Sequence, residues 1–330
     1  MLEIRRREFI TVLGGAAAWP LAARAQQRDR ARRIGVLLPY DENDPESKRR
    51  VSAFTQALRD LGWNDGRNVR MDLRWGGGDI NRIRALAQAL VGLQPDIIVA
   101  VGGVPTAALQ RETRTIPIVF AGVSDPVASG VVPRLDRPGG NVTGFANLEA
   151  SLGGKWLELL TDIAPGLKRA AIMFNPDTAA STFMPSFETA ARSLKVELIT
   201  APVHSDAEIE TAIIALGREP GGGLVALPDA FVTAHRAPVI STAARNNVPA
   251  VYASTTFARD GGLLSYAPNA SDIWRRAASY VDRILRGANP GDLPVQFPTK
   301  FEMVVNRRTA TALGLAIPPS ILLRADEVID

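Results

Sequence analysis

Short apolar runs alternate along this chain with longer stretches of helical period. Arg33-Ile-Gly-Val-Leu-Leu-Pro39 is an apolar run that stops at a proline and opens into the acidic loop Tyr40-Asp-Glu-Asn-Asp-Pro45. Val51, Phe54, Leu58 and Leu61 then share one helical face, and Gly62 ends it. Residues 68–73 read as a second strand. Asp79 can cap the next helix, whose inward positions are Ile83, Leu86, Leu90 and Val91. Residues 96–101 form a third strand that opens into Gly102-Gly103-Val104-Pro105-Thr106 and a helix to about Thr113. Residues 116–121 form a fourth strand, ending in Gly122-Val-Ser124-Asp125-Pro126, and residues 142–145 are a short extended piece. Strand, loop and helix in this order predict parallel strands with crossover helices. Ligands of such sheets bind beyond the carboxyl ends of the strands.

The pattern then restarts. A helix is expected over 152–163, a strand over 169–174 ending in Asn175-Pro-Asp177, and a helix over 179–194. A strand over 196–200 follows, then a helix to Leu216 capped by Asp206. A strand over 224–227 ends in Pro228-Asp229-Ala-Phe231. A helix over 234–246 leads to a strand over 249–253 that ends in Ser254-Thr255. Two strand–helix series of similar length therefore lie in tandem, without a residue-level repeat. The last third departs from this order. It shows a strand over 262–266, a long helix over 269–286 with Ile273, Ala277, Val281 and Ile284 on its buried stripe, and strands over 293–297 and 301–305. If these complete both halves, the chain crosses between two lobes more than once, which makes a hinge.

A chain of 330 residues, nearly half of them hydrophobic, suits two lobes with sizeable cores. Its formal charge is +4, of which the first 25 residues contribute four arginines against two glutamates. The remainder is close to neutral, which is not a nucleic-acid footprint. With no cysteine, disulfides, thiolate metal sites and cysteine nucleophiles are excluded. With His204 and His235 alone, a multi-histidine metal site is not expected, and no cofactor is implied.

The N-terminus has the three-part layout of an export signal: basic Arg5-Arg6-Arg7, an apolar stretch through Leu21, and small residues around Ala25 where cleavage is expected. Arg6-Arg7-x-Phe9-Ile10 resembles a twin-arginine signal. The apolar part is short for a membrane span. Residues 1–25 are therefore set aside from the fold, and a periplasmic, non-embedded monomer is expected.

Many motifs in order resemble one family. They include Ile34-Gly-Val-Leu-Leu-Pro39, Leu61-Gly-Trp63, Thr115-Ile-Pro-Ile-Val-Phe120, Asp136-Arg-Pro-Gly-Gly-Asn-Val-Thr-Gly144 and Lys155-Trp-Leu-Glu-Leu-Leu160. Phe174-Asn-Pro-Asp177, Lys300-Phe-Glu-Met-Val-Val-Asn306 and Arg324-Ala-Asp-Glu-Val-Ile329 continue the match. Together they resemble the bacterial ABC-transporter substrate-binding proteins related to the tryptophan-binding type. The resemblance implies an α/β fold of two Rossmann-like lobes with parallel sheets and a three-crossover hinge, the type I periplasmic binding-protein fold. It also implies a small-molecule ligand, and as partners a permease and its ATPase subunit. Under that fold, lobe one is placed at 32–144 plus 262–291 and lobe two at 145–261 plus 292–326. The hinge candidates are 142–145, 261–264 and 292–296.

The candidate ligand residues lie at the strand ends. Gly102, Gly103 and Thr106 offer bare backbone, a helix start and a hydroxyl, a seat for a carboxylate or an ordinary strand-to-helix turn. Ser124 and Asp125 follow the fourth strand, and Asp125 either accepts from a ligand amine or caps a turn. Asn175, Asp177 and Asp229 carry the same ambiguity in the second half. Phe231 beside Asp229 could cover an apolar group, Ser254 and Thr255 could add hydroxyls, and Tyr40 could stack on a ligand. A helix start in one lobe and aspartates in the other suit a zwitterion such as an amino acid. The competing reading is a two-domain Rossmann-like enzyme. It lacks support, because no Gly-x-Gly-x-x-Gly follows the first strand and neither a Walker motif nor a Gly-x-Ser-x-Gly elbow occurs.

Overall fold

The computed structural model describes residues 31–147, 149, 151–177 and 183–330. The expected export segment and the expected helix start at Ala179 lie outside the described residues. Five strands build the first sheet: β1 (Arg32–Leu38), β2 (Val69–Trp75), β3 (Ile97–Val101), β4 (Ile118–Val123) and β5 (Val142–Ala146). Their order is β2-β1-β3-β4-β5, and every pair is parallel. Period-two alternation divides the buried side chains between two faces. Ile34, Val36, Val99 and Val119 face one side, where Phe54 and Leu58 of α1 (Pro45–Asp60) cover them. Leu37, Ile98, Ala100 and Phe120 face the other, under α2 (Ile80–Gly92) and α3 (Gly103–Glu112). Both faces are covered, so the strands read as continuous apolar runs.

α1 starts where the sequence signals it. Asp44 caps it by accepting from the Ser47 amide, and Pro45 occupies the first turn. Asp79 caps α2 in the same way. Gly144 in β5 is required by close approach: a Cβ there would stand 2.1 Å from the Phe120 carbonyl oxygen.

The second sheet contains β6 (Arg169–Phe174), β7 (Glu197–Pro202), β8 (Gly222–Ala226), β9 (Ala250–Tyr252), β10 (Leu264–Pro268), β11 (Phe301–Asn306) and β12 (Glu327–Ile329). The order is β12-β11-β10-β9-β8-β6-β7, parallel from β7 through β10, with β11 antiparallel to β10. One face is buried by α4 (Leu152–Ile163) and α5 (Met184–Leu194), centred on the fully buried Trp156. The other is buried by α6 (Asp206–Gly217), α7 (Ala230–Ala234), α8 (Arg236–Arg245) and α9 (Thr255–Arg259). The chain closes with α11 (Arg307–Ala312) and α12 (Pro319–Arg324), numbered after the long helix α10 (Ala270–Leu285).

Several expectations are corrected. β10 belongs to the second sheet, so residues 262–268 sit in lobe two, and the chain returns to lobe one only with α10. That helix packs on α1 through Phe54 against Trp274, with ring centroids 5.9 Å apart. Residues 293–297 form no strand of their own. They run beside β5, joined by a bridge between Phe145 and Gln296, and so belong to lobe one. The period-two signal there reflects edge packing, with Leu293 and Val295 buried. Ser205, not Asp206, caps α6, accepting from the Glu208 amide. β12 carries lobe two beyond residue 326. It is only three residues long, too short for a periodic signal, and it is held by Arg259, which pairs with Glu302 and with Glu327.

The hinge therefore lies elsewhere than expected. Residues 142–145 are inside β5 and 261–264 lead into β10. The chain passes between lobes after Ala146, after Pro268 and before Phe301. The last two passages run side by side: the Asn269 amide donates to the Lys300 carbonyl at 2.9 Å, and Pro268 is the register partner of Phe301. Tyr280 steadies the approach, donating its hydroxyl to the Pro294 carbonyl at 2.7 Å and accepting from the Gln296 amide at 2.9 Å. Among the described residues no helix is long and apolar enough to cross a membrane.

Candidate functional site

Strand direction fixes where the loop tips face. β5 ends at the carboxyl edge of the first sheet, and α4 runs back along the second sheet before β6 begins, so α4 starts at the carboxyl edge of that sheet. β10 ends at the same edge. Residues 293–296 run parallel to β5 and arrive at the carboxyl edge of the first sheet, while β11, antiparallel to β10, starts at that of the second. All three passages thus join carboxyl edge to carboxyl edge. The loop tips of the two lobes face each other across the passages, which is where ligands of open α/β sheets bind.

In lobe one, Tyr40 follows β1 and is 37% exposed. Its ring lies under the Arg50 guanidinium at 5.6 Å. Gly102 takes a φ of 76°, which favours glycine, and its amide completes the ladder to the Ala121 carbonyl. A Cβ at Gly102 or at Gly103 would meet nothing within 4 Å. No side chain caps α3, so the amides of Gly103 and Val104 in its first turn stand with the positive end of the helix dipole. The Thr106 hydroxyl does not join them. Thr106 is fully buried and donates to the Gly102 carbonyl at 2.6 Å, which corrects its expected part in the seat. Ser124 is half-buried at the tip of β4. Asp125 caps a turn by accepting from the Ala128 amide at 2.9 Å, so the capping alternative describes its side chain.

In lobe two the tips are bound to one another. Asp229 is 3% exposed. It caps α7 by accepting from the Val232 amide at 2.7 Å and holds the neighbouring tip by accepting from the Asn175 amide at 3.0 Å. Asn175 is buried and accepts from the Asp177 amide at 2.8 Å. Asp177 is exposed. The geometry thus gives Asp229 a structural duty, the capping side of its expected ambiguity. Phe231 stacks on His235 at 4.1 Å, and His235 is paired with Asp206 at 2.5 Å, so this aromatic is partly spent inside its lobe. Ser254 and Thr255 open α9. Ser254 shares a hydrogen bond with Thr256 at 2.9 Å, and Thr255 accepts from Arg259 at 3.2 Å.

Three polar atoms among the described residues are buried without a hydrogen-bond partner: Ser47 Oγ, Arg50 Nε and Asn147 Oδ1. All three belong to the carboxyl edge of lobe one. Ser47 and Arg50 are in the first turns of α1, and Asn147 is the first residue past β5, its amide donating to the Val123 carbonyl at 3.2 Å. None stands out in the sequence, because a serine and an arginine in a helix and an asparagine in a loop are ordinary there. Only their shared lack of partners distinguishes them.

The profile of the ABC transporter substrate binding protein family matches residues 35–329. The chain belongs to this family. A tyrosine-binding protein of Clostridioides difficile is 25% identical over 284 residues, covering 86% of this chain and 80% of that protein. A Streptococcus pneumonia structure described as an ABC domain in complex with L-Trp superposes with a TM-score of 0.80 at 23% identity, covering 91% of this chain and all of the other. A ligand-free, open substrate-binding protein from Clostridium difficile gives a TM-score of 0.75 at 25% identity, covering 91% and 99%. The chain has the type I periplasmic binding-protein fold, and these relatives are binding proteins rather than enzymes.

Proposed function

We propose that this chain is the extracytoplasmic receptor of an ABC importer for an amino acid with an aromatic side chain. It is exported, cleaved near Ala25 and works as a monomer that passes its cargo to a permease with an ATPase subunit. The ligand carboxylate sits on the uncapped first turn of α3, at the Gly103 and Val104 amides, with Ser124 at its flank. The ammonium group donates to Asn147 Oδ1. The Tyr40 ring faces the side chain. Lobe two closes over the ligand with the Asn175–Asp177, Phe231 and Ser254–Thr255 tips, and Asp229 keeps those tips in place. Each lobe supplies part of the contacts, so binding favours the closed arrangement.

The uncapped α3 start carries this reading: a bare helix N-terminus, with no Cβ to fill the space above it, faces the opposite lobe. The name of the tyrosine-binding relative points the same way. A thermal-shift screen over amino acids, organic acids, sugars and nucleosides tests it, because a ligand of the folded state raises the melting temperature by mass action. The expected result is a shift with aromatic amino acids and none with sugars. A shift confined to sugars or nucleosides would sink the proposal.

A further inference from the structure

Two of the three unpartnered polar atoms lie together, away from the ligand head group. Ser47 and Arg50 are one turn apart on α1, a spacing that puts them on one face. Ser47 is fully buried, and its hydroxyl has no partner. Arg50 Nε is likewise shielded and unpartnered, since Glu46 Oε1 at 3.6 Å is close enough for charge attraction but too far for a hydrogen bond. The other end of the guanidinium is held loosely, with Nη1 3.4 Å from the Tyr40 hydroxyl. Leaving buried donors unmade costs stability, so such a pair in a folded protein requires an explanation.

We propose that Ser47 and Arg50, with Tyr40 as their lid, form a subsite for the far end of the ligand side chain, and that this end carries a neutral oxygen acceptor. The proposal rests on the amino-acid reading above and adds the chemistry of the side chain. The head-group seat spreads over the tips of β3 to β5, and this pair stands beside β1 on the same edge. Adjacent strands are about 4.8 Å apart and three intervals separate β5 from β1, so the line from Asn147 to Arg50 is on the order of 14 Å. A side chain with a ring between its two polar ends fits that span.

Charge selects the kind of acceptor. Glu46 already lies against the Arg50 guanidinium, and it also pairs with Arg49 at 3.4 Å. A second carboxylate would meet Glu46 as well as Arg50, whereas a phenolic oxygen meets two donors without repulsion. An indole presents an N–H, which Ser47 Oγ could accept but Arg50 cannot, so it leaves the Arg50 donor unmet. The subsite therefore favours a hydroxyphenyl side chain over phenyl and indole. The ligand end enters by displacing the weak contact between Tyr40 and Arg50.

Titration calorimetry with L-tyrosine, L-phenylalanine and L-tryptophan on the wild type, Ser47→Ala and Arg50→Met tests this. Unliganded melting curves of both variants serve as the folding control, and Ser47→Ala removes a buried atom without adding bulk. The wild type is expected to hold tyrosine at least about tenfold tighter than either other amino acid, the range of a hydrogen bond to a charged donor. Each variant is expected to reduce that preference to about twofold or less, weakening tyrosine binding more than phenylalanine binding. Equal affinities in the wild type, or a preference that survives in both variants, would overturn the subsite while the amino-acid reading stands. Binding of no amino acid at all would overturn both.

Discussion

At the edge of lobe two, Asp229 accepts from the Asn175 and Val232 amides and Asn175 accepts from the Asp177 amide, whereas the edge of lobe one keeps bare amides on α3 and unpartnered atoms on Ser47, Arg50 and Asn147. A polar group satisfied inside the fold contributes to stability. One left without a partner weakens the fold and remains available to a guest. The two edges thus differ in how fully their polar groups are paired; under the proposed function, lobe two mainly braces its loop tips and lobe one offers the open polar groups.

The largest test of that division is Asp229→Ala. It leaves the buried Asn175 amide without a partner and removes the cap of α7, so stability should fall by about 2–3 kcal/mol, read from the urea midpoint. A stability loss below about 0.5 kcal/mol, with binding abolished, would place Asp229 on the ligand instead. The complementary change is Gly103→Ala. Its methyl group meets no protein atom within 4 Å. Replacing a helical glycine by alanine does not weaken the fold, so stability should hold or rise. The added methyl should nonetheless obstruct the carboxylate seat and weaken binding about tenfold, ~1.4 kcal/mol. Unchanged affinity would remove α3 from the site.

A smaller effect separates the lobes by pH. Burial pushes the phenol of Tyr252 in lobe two well above its usual range, and that of Tyr280 in lobe one also upward, there opposed by a hydrogen bond from Gln296 and by Arg283 and Arg276. The folded state therefore keeps protons that the unfolded chain releases from about pH 10. These groups leave stability unchanged below that pH and lower it above. In denaturant titrations across the alkaline range, Tyr252→Phe should flatten this decline more than Tyr280→Phe. The smallest effect is expected of Lys155→Ala. Its pair with Glu158 is largely exposed, and its loss should shift stability by less than about 0.5 kcal/mol.

Most of the fold was legible because the core strands are buried on both faces and their helices carry clear caps, as at Asp44 and Asp79. Lobe membership was harder. β10 and the run at 293–297 are apolar whichever sheet they join, and their sheet is decided by long-range pairing that no local pattern encodes. At Gly102 and Gly103 the expected bare backbone and helix start are present, because glycine and strand-to-helix spacing decide them. Where a side chain had two possible partners, the local pattern did not decide between them. Thr106, Asp125 and Asp229 all turned inward to local amides or carbonyls, since a short polar side chain at a helix start finds the backbone first. Ser47, Arg50 and Asn147 were missed for the opposite reason: their distinction is a missing neighbour, which sequence does not display.

The paired passage at Pro268–Asn269 and Lys300–Phe301 has a mechanical consequence. Two strands laced by a backbone bond form a flat strap, which folds readily across its plane but resists sideways splay. The lobe closure proposed above would then be confined to a single arc, returning the same tips to the same opposite numbers on every stroke.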